Sequence, residues 1–427
     1  MSGIIGIDFG TTNSVIALRD EEGRVSTVRY AVGGRVVDTF RSLLCFWAEE
    51  TGPSRGKLRH AAGPHAIEAY LDDPLGSRLI MSMKSYLASR SFTETRVFGR
   101  GYGLEELISL FLRALAGHAA DGASLAGARV VAGRPVRFVG EQADDALAER
   151  RLRAAFAGAG WEALDFALEP EAAGHRFAAG LEGAAHVLVG DFGGGTSDFS
   201  LLRFEEPGAR RRVTALGHAG VGIAGDAFDY RIIDNVVSPR LGKGGTYRVM
   251  GTALPVPPSF YTSFARWHRL SLMRAPRTLR EIGEVARAAD HPEQLHHLIR
   301  LVEDEAGYAL YQAVSGVKAA LSGAEEAVLR FRHGGFALEE TVRRADFEAW
   351  IAPELARFGG AVDQALAEAG VAADAVDRVF LTGGTSLVPA VRRLFEVRFG
   401  GERVAHGGEF VSVAEGLALI GAERVPA

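Results

Sequence analysis

Apolar runs flank a polar, glycine- and threonine-rich turn at two places in this chain. Ile4, Ile5 and Ile7 lead into Asp8-Phe9-Gly10-Thr11-Thr12-Asn13-Ser14, after which Val15 to Leu18 are again apolar. Val187, Leu188 and Val189 lead into Asp191-Phe192-Gly193-Gly194-Gly195-Thr196-Ser197-Asp198, followed by Phe199 to Leu202. Each arrangement predicts a β-hairpin closed by a Gly/Thr turn. Elsewhere the apolar spacing is helical. Leu104, Leu107, Ile108, Phe111 and Leu115 predict one helix, residues 141–159 a second, and Phe347, Trp350, Ile351, Leu355 and Phe358 a third. Residues 413–422 predict the last. Val130-Val131-Ala132 and Val379-Phe380-Leu381 read as short buried strands that end at glycine turns, and residues 212–216 as another strand.

Strands alternating with helices favour an α/β architecture. The second half repeats the plan of the first, which predicts a duplicated unit with lobes at 1–180 and 181–427. Two segments interrupt the pattern. Residues 40–103 are mixed and broken by Gly, Pro and Ser, as expected of a subdomain inserted in the first lobe. Residues 229–315 form a second, mainly helical insertion. Within it, residues 241–264 contain Gly242-Lys243-Gly244-Gly245-Thr246 and a run from Pro255 to Pro258, and read as a loop. The glycine run lacks the spacing of a P-loop. Residues 279–311 are helical in pattern.

Composition narrows the function classes. At 427 residues and 47% hydrophobic, the chain is too long for one simple domain and can bury substantial cores. A net charge of −5 gives no electrostatic case for general binding to nucleic acid or membranes. Arg210-Arg211-Arg212, after Pro207-Gly208, reads as a solvated hairpin turn. Cys45 is the only cysteine, so no intrachain disulfide can form, and among Leu43, Leu44, Phe46 and Trp47 it reads as packing. The first strand begins too close to Met1 for a signal peptide, and the expected location is the cytoplasm.

The chemistry gathers at the turns. Backbone amides and the hydroxyls of Thr11, Thr12 and Thr196 suit phosphate oxygens, while Asp8 and Asp191 at strand ends suit a hydrated Mg²⁺. A third turn, Thr382-Gly383-Gly384-Thr385-Ser386, lies between a strand and a helix, where the glycines allow close backbone approach by a ligand. Ser386 is expected to N-cap that helix and Pro389 to enter its first turn. Read alone, Lys84 is a solvated charge at a helix start and Glu169 an exposed loop acid. His291, His296 and His297 lack the spacing of a metal site.

In this order the motifs resemble the nucleotide-binding domain of the Hsp70 chaperones, within the actin-like ATPase superfamily. Ile5 to Ser14 is similar to that family's first phosphate signature, Asp191 to Ser200 to the second, and Thr382 to Pro389 to the adenosine signature. Leu168 to Ala173 is similar to its first connecting segment, Ala224 to Asp229 to its Gly-Gly-Glu-Asp-Phe-Asp stretch, and Lys84 stands where the family keeps its catalytic lysine. The resemblance runs from about Gly3 to Ala422. It implies the duplicated, ribonuclease H-like fold of actin-like ATPases, with ATP or ADP and Mg²⁺ as ligands. Asp8 and Asp191 would hold the ion through water. Gly10, Thr11, Thr12, Asn13, Gly193, Gly194, Gly195, Thr196, Gly225, Lys318, Ser322, Gly383, Gly384 and Thr385 would bind nucleotide. Lys84, Glu169, Asp191 and Asp198 would be catalytic: Lys84 positions the attacking water, and Glu169 and Asp198 orient it. Slow hydrolysis would open and close the lobes, with unfolded or specific client proteins and co-chaperones as partners.

This chain also departs from the family pattern. Ser315 stands where a nucleoside-binding Glu is expected, Ala319 for an Arg, Leu387 for the base-stacking Arg and Phe410 for an Asp. Phosphate binding is therefore expected intact, with nucleoside binding weaker or altered. The final helix falls close to the last residue, as in a short branch of the family without the peptide-binding half. A small-molecule kinase, a filament-forming actin relative and a nucleotide-binding pseudo-ATPase remain as other readings of the same fold. The aromatics Tyr247, Phe260, Tyr261, Phe264 and Trp267 either form a partner surface or pack the insertion onto itself, with packing favoured.

Overall fold

A computed structural model describes residues 3–32, 35–49, 56–119, 128–138, 142–178, 181, 183–205, 213–265, 273–407 and 411–423. The Arg210-Arg211-Arg212 triplet, Trp267 and Phe410 lie outside them. Contacts divide the chain into two compact units, residues 1–225 with 355–427, and residues 226–354.

The first unit contains two sheets of one plan. In the first, β1 (Ile4–Phe9), β2 (Asn13–Arg19), β3 (Val25–Thr27), β4 (Arg129–Arg134) and β5 (Leu164–Leu168) are ordered β5-β4-β1-β2-β3. In the second, β6 (Ala185–Phe192), β7 (Ser197–Phe204), β8 (Val213–Val221), β9 (Arg378–Thr382) and β10 (Val404–His406) are ordered β8-β7-β6-β9-β10. In both, a three-strand antiparallel meander carries two parallel strands on its other side. The duplication expected from the sequence is thus present in the topology, which is that of the actin-like ATPase fold.

Burial explains the layering. Ile5, Ile7 and Phe9 alternate on one face of β1 and join a core with Leu107, Ile108 and Phe111 of the Leu104–Gly117 helix and Leu152 and Phe156 of the Asp145–Gly158 helix. Asp144 caps the latter, its carboxylate accepting from the Leu147 amide at 2.9 Å, so the helix begins later than residue 141. Two further helices, α1 (Glu169–Ala178) and α2 (Ser412–Glu423), share an apolar cluster with both sheets, including Val131, Ala172, Val189, Phe380 and Leu417. Glycine brings these layers together. A Cβ on Gly416 would lie 1.7 Å from the Ala172 carbonyl oxygen, and one on Gly6 would lie 2.1 Å from that of Ala414. Helix α2 therefore sits directly on α1 and β1.

Three local expectations are corrected. Residues 241–264 are not a loop: Thr246–Val249 and Thr252–Pro255 form a hairpin, and Pro258–Phe264 is a helix. The Phe347–Phe358 stripe is two helices, Arg344–Trp350 and Ala352–Ala369, because Pro353 has no amide to continue the ladder. Ser386 does not cap the helix Pro389–Phe399; it donates to the Gly383 carbonyl at 2.6 Å within its own turn, and Val388 precedes the helix without a side-chain cap.

In the second unit the helices Pro276–Ala288, Pro292–Glu303 and Gly307–Leu321 follow one another as their apolar spacing predicts. Phe260, Tyr261 and Phe264 are buried, which is the packing alternative for these aromatics. Among the described residues no helix is long and apolar enough to cross a membrane.

Candidate functional site

The two Gly/Thr turns join β1 to β2 and β6 to β7. Their registers place Asp8 opposite Val15, and Asp191 opposite Asp198. Asp8 and Asp191 thus occupy equivalent positions, each one residue before its first strand ends. In the second turn the Gly193 amide donates to the Thr196 carbonyl at 2.9 Å, which closes the loop. In the first, a Cβ on Gly10 would lie 2.1 Å from the Asn13 carbonyl oxygen, so only glycine fits.

Lys84 comes from outside the sheets. It sits in a 3-10 turn, Met83–Tyr86, after Ser82, whose φ of +52° is left-handed. Such a conformation in a buried serine is strained, and it redirects the chain into the turn. The Lys84 ammonium donates to Glu169 Oε1 at 2.6 Å, and both side chains are buried. Glu169 is the first residue of α1, where the helix dipole favours a negative charge. Gly133, at the end of β4, makes room for it: a Cβ there would lie 3.0 Å from Glu169 Cγ.

Asp198 is held by backbone. Its Oδ1 accepts from the Val136 amide at 2.9 Å and the Arg137 amide at 3.5 Å. A Cβ on Gly220 would lie 2.6 Å from the same oxygen, so glycine opposite Asp198 is a steric requirement. These contacts were not visible in the sequence; the Gly133-Arg134-Pro135 turn after β4 was the only signal near them.

The electrostatics follow from crowding. Burial, then the Glu169 charge, pushes the Asp8 carboxyl up to about 7 against the opposing pull of Lys84. Asp198 is also raised to about 7, by burial and then Glu169, with the Thr196 hydroxyl and Lys84 working the other way. Asp191 lies well above its ordinary value through burial, Glu169, Asp8 and Asp198. Burial alone would lower Lys84, but Glu169, Asp8 and Asp191 outweigh it and hold the ammonium above its usual range. One buried cation therefore faces a group of acids that cannot all be charged together.

This donor set fits a hydrated divalent cation. Asp8 Oδ1 is buried and accepts no hydrogen bond. Among the described residues, no three His, Cys, Asp or Glu side chains converge as direct ligands. Hard carboxylate oxygens near a cation that keeps its water shell are what Mg²⁺ uses.

The third turn abuts the second. Gly383, at φ +84°, packs so closely that a Cβ would lie 2.0 Å from the Phe192 carbonyl oxygen. Thr385 Oγ1 donates to the Gly193 carbonyl at 3.4 Å, and Gly384 is exposed beside them. Thr11 and Thr196 are nearly buried, Thr12 and Asn13 half-buried, and Asn13 accepts from Arg41 at 3.2 Å. Gly225 begins the Gly225–Ile232 helix. Lys318 and Ser322 belong to the second unit, where the Lys318 ammonium pairs with the buried Asp229 carboxylate at 2.9 Å and Ser322 ends the Gly307–Leu321 helix. The structure thus gathers Asp8, Lys84, Glu169, Asp191 and Asp198 in one unit and gives Lys318 a local partner.

Comparison with known proteins points the same way. A family model described as "Hsp70 protein" matches residues 296–425. The chaperone protein DnaK of Thermus thermophilus is 27% identical over 411 residues, covering 94% of this chain and 58% of that protein. DnaK of Deinococcus proteolyticus is 26% identical over 437 residues, covering 98% and 58%, and that of Deinococcus deserti 27% over 413 residues, covering 93% and 55%. The chain spans little more than half the length of these relatives. It is similar to Hsp70 proteins along nearly all of its own length.

Proposed function

We propose that this chain is an Hsp70-family nucleotide-binding unit that binds Mg-ATP between the two Gly/Thr turns and hydrolyses it slowly. The observation that carries the reading is the buried Lys84–Glu169 pair among Asp8, Asp191 and Asp198, with an unsatisfied carboxylate oxygen on Asp8. Asp8 and Asp191 would hold Mg²⁺ through its waters, and the ion supplies positive charge to the phosphate oxygens. Amides and hydroxyls of residues 10–13 and 193–196 bind those oxygens. Gly383, Gly384 and Thr385 line the approach to the nucleoside.

Lys84 aims a water at the terminal phosphate and stabilises the charge that develops there, held in direction by Glu169. The attacking water sheds a proton, and Asp198, poised near 7, is suited to take it. The products are ADP and phosphate. Nucleotide state then sets the angle between the two sheets, which α1 and α2 connect. On this reading the partners are unfolded or specific client proteins and co-chaperones, and the location is the cytoplasm. Calorimetric titration with Mg-ATP and Mg-ADP, followed by a phosphate-release assay, tests the proposal. Absence of heat with either nucleotide defeats it; phosphate appearing on a small-molecule acceptor and not in solution assigns the site to a kinase.

A further inference from the structure

After the Met83–Tyr86 turn that carries Lys84, residues 87–92 belong to no helix or strand. Backbone of that kind, packed against a core, needs partners for its carbonyls. One side chain reaches four of them between Tyr86 and Phe92. Arg151, on the Asp145–Gly158 helix, donates from Nη1 to the carbonyls of Leu87 at 3.0 Å, Ser89 at 2.9 Å and Tyr86 at 3.3 Å. Its Nη2 donates to the Phe92 carbonyl at 2.7 Å. The Arg151 side chain is only 13% exposed, whereas Glu105, 3.4 Å from its Nε, is 40% exposed. A half-exposed pair of that length contributes little, so the carbonyls are what hold the guanidinium.

The same helix grips the segment a second time. The Asp144 amide donates to the Ala88 carbonyl at 3.2 Å, and the Asp144 carboxylate pairs with Arg90 at 2.8 Å. Residues 144 and 151 are seven apart and share a helix face. Leu87 and Ala88 are buried in one core with Leu152 and Phe156. The path to Lys84 is short. The Leu87 amide donates to the Lys84 carbonyl at 3.3 Å, while the Leu87 carbonyl accepts from Arg151. At the other end of the turn, Ser82 at φ +52° keeps a conformation that persists only where its surroundings over-determine it. The guanidinium supplies such a constraint at the far end.

We propose that Arg151 is a positioning residue for hydrolysis: its grip on the carbonyls after the turn fixes Lys84 where the ammonium meets Glu169 and the attacking water. The proposal rests on the ATPase reading given above. No atom of Arg151 is assigned to the nucleotide, so its loss should cost rate and not affinity. A lysine at this position would keep the charge and the apolar stem, but its one nitrogen cannot serve four carbonyls.

The test compares Arg151→Lys and Arg151→Met with the wild type by single-turnover phosphate release, calorimetry with Mg-ADP, and acylation of Lys84 read by mass spectrometry. Phosphate release should fall about tenfold or more in both variants, because a small misplacement of a catalytic group is costly. Mg-ADP affinity should stay within about twofold of the wild type. Lys84, buried and paired in the wild type, should acylate faster in both variants, while amide exchange along β1 is unchanged. If Arg151→Met does not fold, Arg151→Lys still decides the matter. A wild-type rate in Arg151→Lys, unaltered acylation of Lys84, or rate and affinity falling together would overturn the proposal. So would faster exchange along β1, which would make Arg151 a general support of the fold. If the wild type itself releases no phosphate, the ATPase reading fails, and acylation of Lys84 alone then decides whether Arg151 places that side chain.

Discussion

Lys84 is the residue on which the site's charge balance turns, because burial and three neighbouring carboxylates act on it in opposite directions. Replacing it with alanine leaves Glu169 buried without its ion pair and removes the charge that would face the terminal phosphate. Lys84→Ala should lower the rate of phosphate release roughly 100-fold while retaining Mg-ADP binding, as single-turnover assays and calorimetry can show. A second expectation concerns pH. Asp8 and Asp198 titrate near 7 when folded and near 3.8 when unfolded. Between those values the folded chain holds more protons than the unfolded one. Their contribution to stability is therefore full below the unfolded value and is lost as pH rises through about 7. Urea unfolding of the nucleotide-free protein should show it less stable at about pH 8 than at about pH 6, by an amount on the order of a few kcal/mol. Millimolar Mg²⁺ should restore much of the difference at the higher pH, since an ion that binds only the folded carboxylates stabilises by mass action. A stability that rises monotonically over that range would contradict the crowding of charge inferred for the site.

At the scale of elements, close packing makes definite demands. Gly416→Ala would drive a Cβ to 1.7 Å from the backbone of α1, where no flexible side chain can yield. The helices must separate, and the variant should lose about 3 kcal/mol or more, read as a lower urea midpoint. The hairpins of the first unit were legible in the sequence because apolar runs flank each Gly/Thr turn. The duplicated plan followed from the same repetition. The 246–255 hairpin was not legible, since its second strand exposes every residue and so lacks the alternation of a half-buried strand. The stripe from Phe347 to Phe358 kept its helical spacing across the interruption of the helix before Pro353, and spacing cannot register a missing amide. In the site, Asp8 and Asp191 could be read from their turns. The Lys84–Glu169 contact joins residues 85 apart, and the amides that hold Asp198 belong to a loop with no side-chain signal at all. Long-range pairing of this kind depends on the sheet order, which no local pattern encodes.

At the scale of the whole first unit, the two turns stand on different sheets, and both sheets share one apolar cluster with α1 and α2. The Thr382 and Ser412 hydroxyls are hydrogen-bonded at 2.7 Å, tying β9 to the start of α2, while Arg176 of α1 pairs with Glu415 of α2. A ligand that engages both turns can therefore bind fully only at one angle between the sheets, so its affinity and that angle are linked. Mg-ATP should slow amide exchange at residues 10–13 and 193–196 together. Thr196→Val removes from the second turn a hydroxyl that bonds Asp198 and leaves the first turn untouched. If the sheets close as a unit, this variant should weaken protection at residues 10–13 as well as at 193–196, at a nucleotide concentration that saturates the wild type. Hydrogen exchange with mass spectrometry reads both segments in one experiment. Protection that survives in full at the first turn while vanishing at the second would show that the turns bind phosphate independently, and nucleotide state would then have no means of setting the angle between the sheets.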